Sequence, residues 1–327
     1  MKSLDAPPPF PWVNLGLFVA TVLTTTATGA LAVHPSSFFP LSDGLSFSIP
    51  LLAILVCHEF GHYFAARIHG VSASLPYFIP LPPGIGLFGT MGAVITQGGT
   101  TDRRKLIDIG AAGPLAGLVV AIPVLYYGLL LSPVKTLEGL GLQEGNSLLY
   151  LGLKYAAKGA VLPDGGRDVI LHPTALAGWA GLLITMINLL PIGQLDGGHI
   201  ATAYFGNRYR QVARIVHRAL PWLALGAFAW VYRAAQAEAL GKILPGDHTP
   251  FLIALSASLV WVVWFALLWG LGRATKSFDH PPVDDRFGLP GSRVVLFWVV
   301  AVTFALIFMP IPLRQSIGVL ASGEVGP

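Results

Sequence analysis

In the stretch LLAILVCHEFGHYFAARIHG, residues 51–70, three ionisable groups, His58, Glu59 and His62, interrupt an otherwise apolar run. Positions four apart on an α-helix share a face, so His58 and His62 present two imidazoles to one point about a turn apart. That is the geometry of a two-pronged clamp for a divalent metal ion. Glu59 is offset by one residue and reaches a water held on such an ion, which is the place of the general base in an H-E-x-x-H pattern. In hydrocarbon each of these groups would cost at least about 2–3 kcal/mol without compensation. A divalent cation compensates all three together. Two histidines leave a catalytic zinc short of ligands, because such a site keeps three protein ligands and one open position. A second apolar run, ending LLITMINLLPIGQLDGGHI at residues 182–200, supplies Asp196 as the third, with His199 as its nearest rival. Pro191 ends or kinks that helix, and Gly197 and Gly198 are expected to let the backbone turn near the acid. Ligand type points to zinc, one ion per chain, although other divalent ions suit the same donors.

The elements that must position these residues belong to a membrane protein. Of 327 residues, 54% are hydrophobic and 11% charged, against about 25% charged in an ordinary soluble domain. Apolar runs fall at about 12–33, 47–67, 106–131, 174–192, 212–234, 250–272 and 293–313. Each is near the roughly 20 residues a helix needs to cross a bilayer. The expected fold is therefore an all-α polytopic membrane protein with about seven transmembrane helices. The first run is longer than the roughly 7–15 residues of a signal-peptide core and is read as a helix. With the N-terminus inside, 13 of the 20 Lys and Arg fall on inner segments; this bias favours a cytoplasmic N-terminus and an outer C-terminus.

Between the second and third spans, residues 70–105 contain four prolines and many glycines, which no helix tolerates. A small membrane-embedded β-hairpin or sheet is expected there, with MGAVITQ (91–97) as a strand. Residues 132–173 read as an interfacial amphipathic helix plus turns, and 273–292 as a polar inner loop. Three regions follow: residues 1–46, an N-terminal span and outer loop; 47–211, a catalytic membrane core; and 212–327, additional C-terminal spans. No basic cluster is dense enough for nucleic acid, the single Cys57 excludes an intramolecular disulfide, and His69 reads as an interfacial residue beside Arg67.

His58, Glu59, Phe60, Gly61 and His62, together with Asn188, Pro191, Leu195, Asp196 and Gly197, resemble the two signature motifs of the site-2 protease family of intramembrane zinc metalloproteases. Between them Gly113, Pro114, Leu115, Ala116 and Gly117 resemble the small-residue motif of that family's middle core helix, where close packing is wanted. In many members a proline stands where this chain has Gly193. The resemblance covers roughly residues 47–200. It implies that His58, His62 and Asp196 bind zinc, that Glu59 is the base, and that Asn188 holds the substrate backbone or the oxyanion. It implies hydrolysis of peptide bonds in or near the transmembrane segment of a single-span membrane protein, such as an anti-sigma factor, a membrane-tethered transcription factor or a signal-peptide remnant. The expected setting is a bacterial inner membrane with the active site toward the cytoplasm. Two other classes use the same residues: a metal or proton transporter, which would be expected to show paired halves, and an inactive protease-like scaffold, which should have lost Glu59 or a ligand.

Overall fold

The computed structural model describes residues 10–33, 41–100, 102–136, 140–239, 249–275, 283–284 and 288–317. In chain order its elements are α1 (Trp12–Val33), α2 (Leu41–Ile68), β1 (Tyr77–Pro80), β2 (Thr90–Val94), α3 (Arg103–Leu131), β3 (Val134–Thr136), β4 (Leu140–Glu144), α4 (Leu148–Lys158), β5 (Arg167–Val169), α5 (Pro173–Asn188), α6 (Asp196–Phe205), α7 (Tyr209–Ala239), α8 (Thr249–Thr275), α9 (Gly291–Ile307) and β6 (Leu313–Ile317). Part of the polar loop expected at 273–292 lies outside the described residues.

Among the described residues four helices are long and apolar enough to cross a membrane: Trp12–Ala32, Leu41–Ile68, Arg103–Leu131 and Pro250–Gly270. Four of the seven expected spans are thus matched by helices of that kind, and the shorter Pro173–Asn188 and Gly291–Ile307 are apolar as well. The other three runs fall short for different reasons. α5 stops at Asn188 after 16 residues, because the chain turns ahead of Pro191. The last run is cut to the 17 residues of α9 by Pro310 and Pro312. α7 is 31 residues long, but Arg210, Arg214, His217 and Arg218 make its first half polar.

The core lies where α2, α3 and α5 meet. Leu51, Ile54, Ile107, Leu125, Leu182 and Met186 are fully buried there. Glycines let the three backbones approach: a side chain at Gly61 would meet Ala112 of α3, one at Gly128 would meet Ala175 of α5, and one at Gly178 would meet Leu125. Apolar surface alone cannot drive helices together in lipid, so close contact between small residues supplies the attraction.

A hairpin stands between α2 and α3, as expected. β1 pairs antiparallel with β2, Tyr77 opposite Val94 and Phe78 opposite Ala93. The ladder covers 90–94 rather than 91–97, and a separate bridge, Ala73 to Gln97, extends the contact. Helix α1 holds this hairpin at both ends. The Asn14 side chain donates to the carbonyls of Leu75 and Pro76 at 3.1 and 2.8 Å, and Thr24 Oγ1 donates to the Gly89 carbonyl at 2.7 Å.

Residues 132–136 and 140–172, together with β6, build a polar cap. The sequence suggests one interfacial helix and turns there, and α4 is that helix. The strands are additional: β3 pairs with β5, and β4 pairs with the distant β6, Leu140 opposite Ile317 and Glu144 opposite Leu313. Lys154 of α4 is fully buried. Its ammonium lies 3.0 Å from Asp168 and 3.2 Å from Glu144. Tyr150 donates to Glu144 at 2.9 Å, Gln143 to Asp168 at 2.9 Å, and Arg314 of β6 to Gln143 at 2.9 Å. Burial pushes the Glu144 carboxyl above its ordinary value, with Lys154 pulling the other way. The Tyr150 phenol is held well above its usual range by burial and by the Glu144 charge.

Candidate metal centre and active site

His58 and His62 lie one turn apart near the end of α2, both buried, and Glu59 between them is 6% exposed. The chain then leaves α5 at Asn188 and doubles back through a tight turn to begin α6 at Asp196. Gly193 shapes that turn with φ of 59°, a left-handed conformation closed to proline. Gly197 and Gly198 do not make the turn; they are helical residues of α6. A side chain on either would run into the carbonyls of Leu189 or Gly193, so their role is to let α6 lie against the turn that precedes it.

The result brings the three predicted ligands to one point. His58 Nε2 lies 3.1 Å from Asp196 Oδ2, His62 Nε2 lies 3.2 Å from Asp196 Oδ1, and the two imidazole Nε2 atoms are 3.2 Å apart. His62 Nδ1 is 2.8 Å from the Ile109 carbonyl of α3, which accepts only. Nδ1 therefore carries a proton, and in the neutral ring Nε2 presents a lone pair. Two imidazole nitrogens and a carboxylate converging in one buried site are the donor types a divalent cation takes. Ligand atoms about 2.0–2.1 Å from a tetrahedral zinc are roughly 3.3 Å from one another. The donor set and its spacing fit a zinc ion.

α3 is shaped to receive the imidazoles. A side chain at Gly113 would overlap the ring of His62, and one at Gly117 would sit 3.2 Å from His58 Cβ. The small-residue motif thus does more than bring helices close; it leaves room for the ligands themselves.

The centre opens into a cavity of about 580 Å³ lined by His58, Glu59, His62, Asn188, Gln194, Asp196 and His199, and also by Ala93, Val94, Ile95 and Gln97. Glu59 and Asn188 therefore line the same space as the ligand atoms. His199, the rival for the third ligand, borders the cavity, while the cluster of convergent donors is His58, His62 and Asp196. His69 is not merely interfacial, since its Nε2 lies 3.0 Å from Asp108 Oδ2. The sequence signal missed entirely is the backbone of Ile109, which only the α2–α3 crossing brings to His62.

Comparison with known proteins agrees with this geometry. The profile of peptidase family M50 matches residues 46–226. The chain is 36% identical over 202 residues, 58% of its length, to a probable zinc metalloprotease EGY2, chloroplastic, of Oryza sativa subsp. indica, covering 35% of that protein. It is 37% identical over 185 residues, 54% of its length, to a probable zinc metalloprotease EGY1, chloroplastic, of Arabidopsis thaliana, covering 33% of it. A probable zinc metallopeptidase EGY3, chloroplastic, from the same plant is 27% identical over 309 residues, 85% of this chain and 47% of the relative. The chain thus spans about a third of the length of the first two. These relatives overturn the expected bacterial inner membrane, since their names place them in chloroplasts; membrane-protein composition alone does not distinguish one bilayer from another. With both motifs converging on one buried point and the profile covering more than half of the sequence, the chain belongs to peptidase family M50, the family of the site-2 proteases.

Proposed function

We propose that this protein is an intramembrane zinc metalloprotease that hydrolyses peptide bonds in or near the transmembrane segment of single-span membrane proteins. The observation that carries the reading is the convergence of His58, His62 and Asp196 beside Glu59 in one cavity. Residues 47–211 form the catalytic core in this reading.

Bound by those three residues, zinc would supply a Lewis acid for the scissile carbonyl and lower the pKa of a water. Glu59 takes the proton of the attacking water and returns it to the leaving amine. The Ile109 carbonyl keeps His62 in the tautomer that ligates through Nε2. Asn188, on the wall of the same cavity, steadies the substrate backbone or the developing oxyanion. Ala93 and Val94 of β2, with Ile95 and Gln97 just beyond it, border the same cavity as the ligands. A substrate segment unwound from its helix can add to this edge as a further strand, which presents an extended backbone to the base.

The test is a Glu59→Gln variant assayed on a single-span test substrate. Zinc content should equal wild type while cleavage falls by about 10²–10⁴-fold. Cleavage at the wild-type rate would remove Glu59 from its role.

A further inference from the structure

Helix α9 begins beyond the region matched by the family profile, yet it touches the core at two points that lead to the metal centre. In its first turn Arg293 clasps Asp108 of α3, Nη2 to Oδ2 at 2.8 Å and Nε to Oδ1 at 3.2 Å. The same carboxylate receives His69, just past the end of α2. The residue after Asp108 is Ile109, whose carbonyl holds His62. Four residues beyond Arg293, Phe297 stacks on Tyr204 with ring centroids 3.7 Å and planes 6° apart. Tyr204 lies near the end of α6, the helix that begins with Asp196. Arg103 of α3 fixes that same end by donating to the carbonyls of Ala203 and Tyr204 at 2.7 and 2.8 Å.

We propose that Arg293 and Phe297 are positioning residues for the metal centre: Arg293 sets His62 through Asp108 and the Ile109 carbonyl, and Phe297 sets Asp196 through Tyr204 and α6. This rests on the metal-centre reading above. A guanidinium gripping a carboxylate with two nitrogens fixes orientation as well as distance, which a lysine cannot reproduce. Here it fixes α3 against α9, while His69 ties the same carboxylate to the end of α2, one residue before the carbonyl that sets the tautomer of His62. Groups placed behind metal ligands in this way alter affinity by about 10–100-fold. The C-terminal helix is thereby part of the site although it contributes no ligand.

The experiment uses the full chain in detergent, with zinc affinity measured by chelator competition and the visible spectrum of the cobalt-loaded protein as a second readout. Arg293→Ala should weaken zinc by about tenfold and alter the cobalt spectrum. It should lower kcat more than it raises KM. Arg293→Lys should fall between wild type and alanine, and it serves if the alanine variant does not fold. In an Asp108→Ala background the Arg293 substitution should have no further effect, because the carboxylate it grips is already gone while all three ligands remain. Phe297→Ala should keep its effect in that background. An Arg293→Ala protein that binds zinc as wild type does, or loses as much in the Asp108→Ala background as alone, overturns the inference and leaves the protease reading intact. A wild-type chain that takes up no zinc overturns the metal-centre reading and this inference with it.

Discussion

At Gly113 the position a side chain would need is already occupied by the imidazole of His62. Adding one methyl group there must displace the ring and stretch its bond to the Ile109 carbonyl. Gly117 faces His58 with ordinary tight contact, so the same addition asks for a few tenths of an ångström only. Gly113→Ala should therefore weaken zinc binding by roughly tenfold or more, and Gly117→Ala much less; elemental analysis after limited chelation distinguishes them. Equal retention in both would mean that the ring has another place to go. The ligands were legible in the sequence, because helical spacing puts His58 and His62 on one face and an acid beside an apolar run needs a partner. The space that receives them was legible only as a packing motif. The tautomer-setting carbonyl was not legible at all, since every residue carries one and only the crossing of two helices chooses Ile109. The turn was read with the wrong glycines: Gly193 supplies the left-handed residue, while Gly197 and Gly198 supply closeness.

Among the elements, β2 pairs with β1 in a two-stranded sheet, and its Ala93 and Val94 line the cavity. If substrate pairs with its outer edge, backbone N–H groups of that edge are part of the binding site, and proline removes them one at a time. Prolines placed singly from Met91 to Gln97 should slow cleavage several-fold at alternate positions with zinc content unchanged. Uniform tolerance would defeat the strand-addition reading. The hairpin itself was foreseeable, since its prolines exclude helix. The short strands β3 to β6 were not. Each has three to five residues, too few for a periodicity to register, and their partners are distant. Not every apolar run in the sequence becomes a helix of full spanning length among the described residues. An apolar window measures composition and does not see a helix stop at Asn188 or break before Pro310.

Across the whole molecule, the polar cap holds charge where apolar packing is the rule. Lys154, Asp168 and Glu144 are buried together, and burial raises the Glu144 carboxyl above its ordinary value. A carboxyl raised in the folded state binds its proton more tightly folded than unfolded. Its contribution is thus fully present below the ordinary carboxylate range and is lost as pH rises through the folded value. Glu144→Gln keeps an acceptor for Tyr150 and cannot ionise. The melting temperature of this variant minus that of wild type should therefore increase as pH rises above about 4.5. A constant difference would mean that Lys154 fully offsets the burial of Glu144. The same cap joins β4 to β6, strands separated by more than half of the chain. During synthesis at about 5–20 residues per second, β4 emerges roughly 10–30 s before its partner exists. Strand β6, made after the α2–α3–α5 core, supplies Arg314 to Gln143 and the ladder for residues 140–144. The cap therefore locks only after the helices that carry His58, His62 and Asp196 have been made, and for that interval a nascent chain has its α2–α3–α5 core under an open edge.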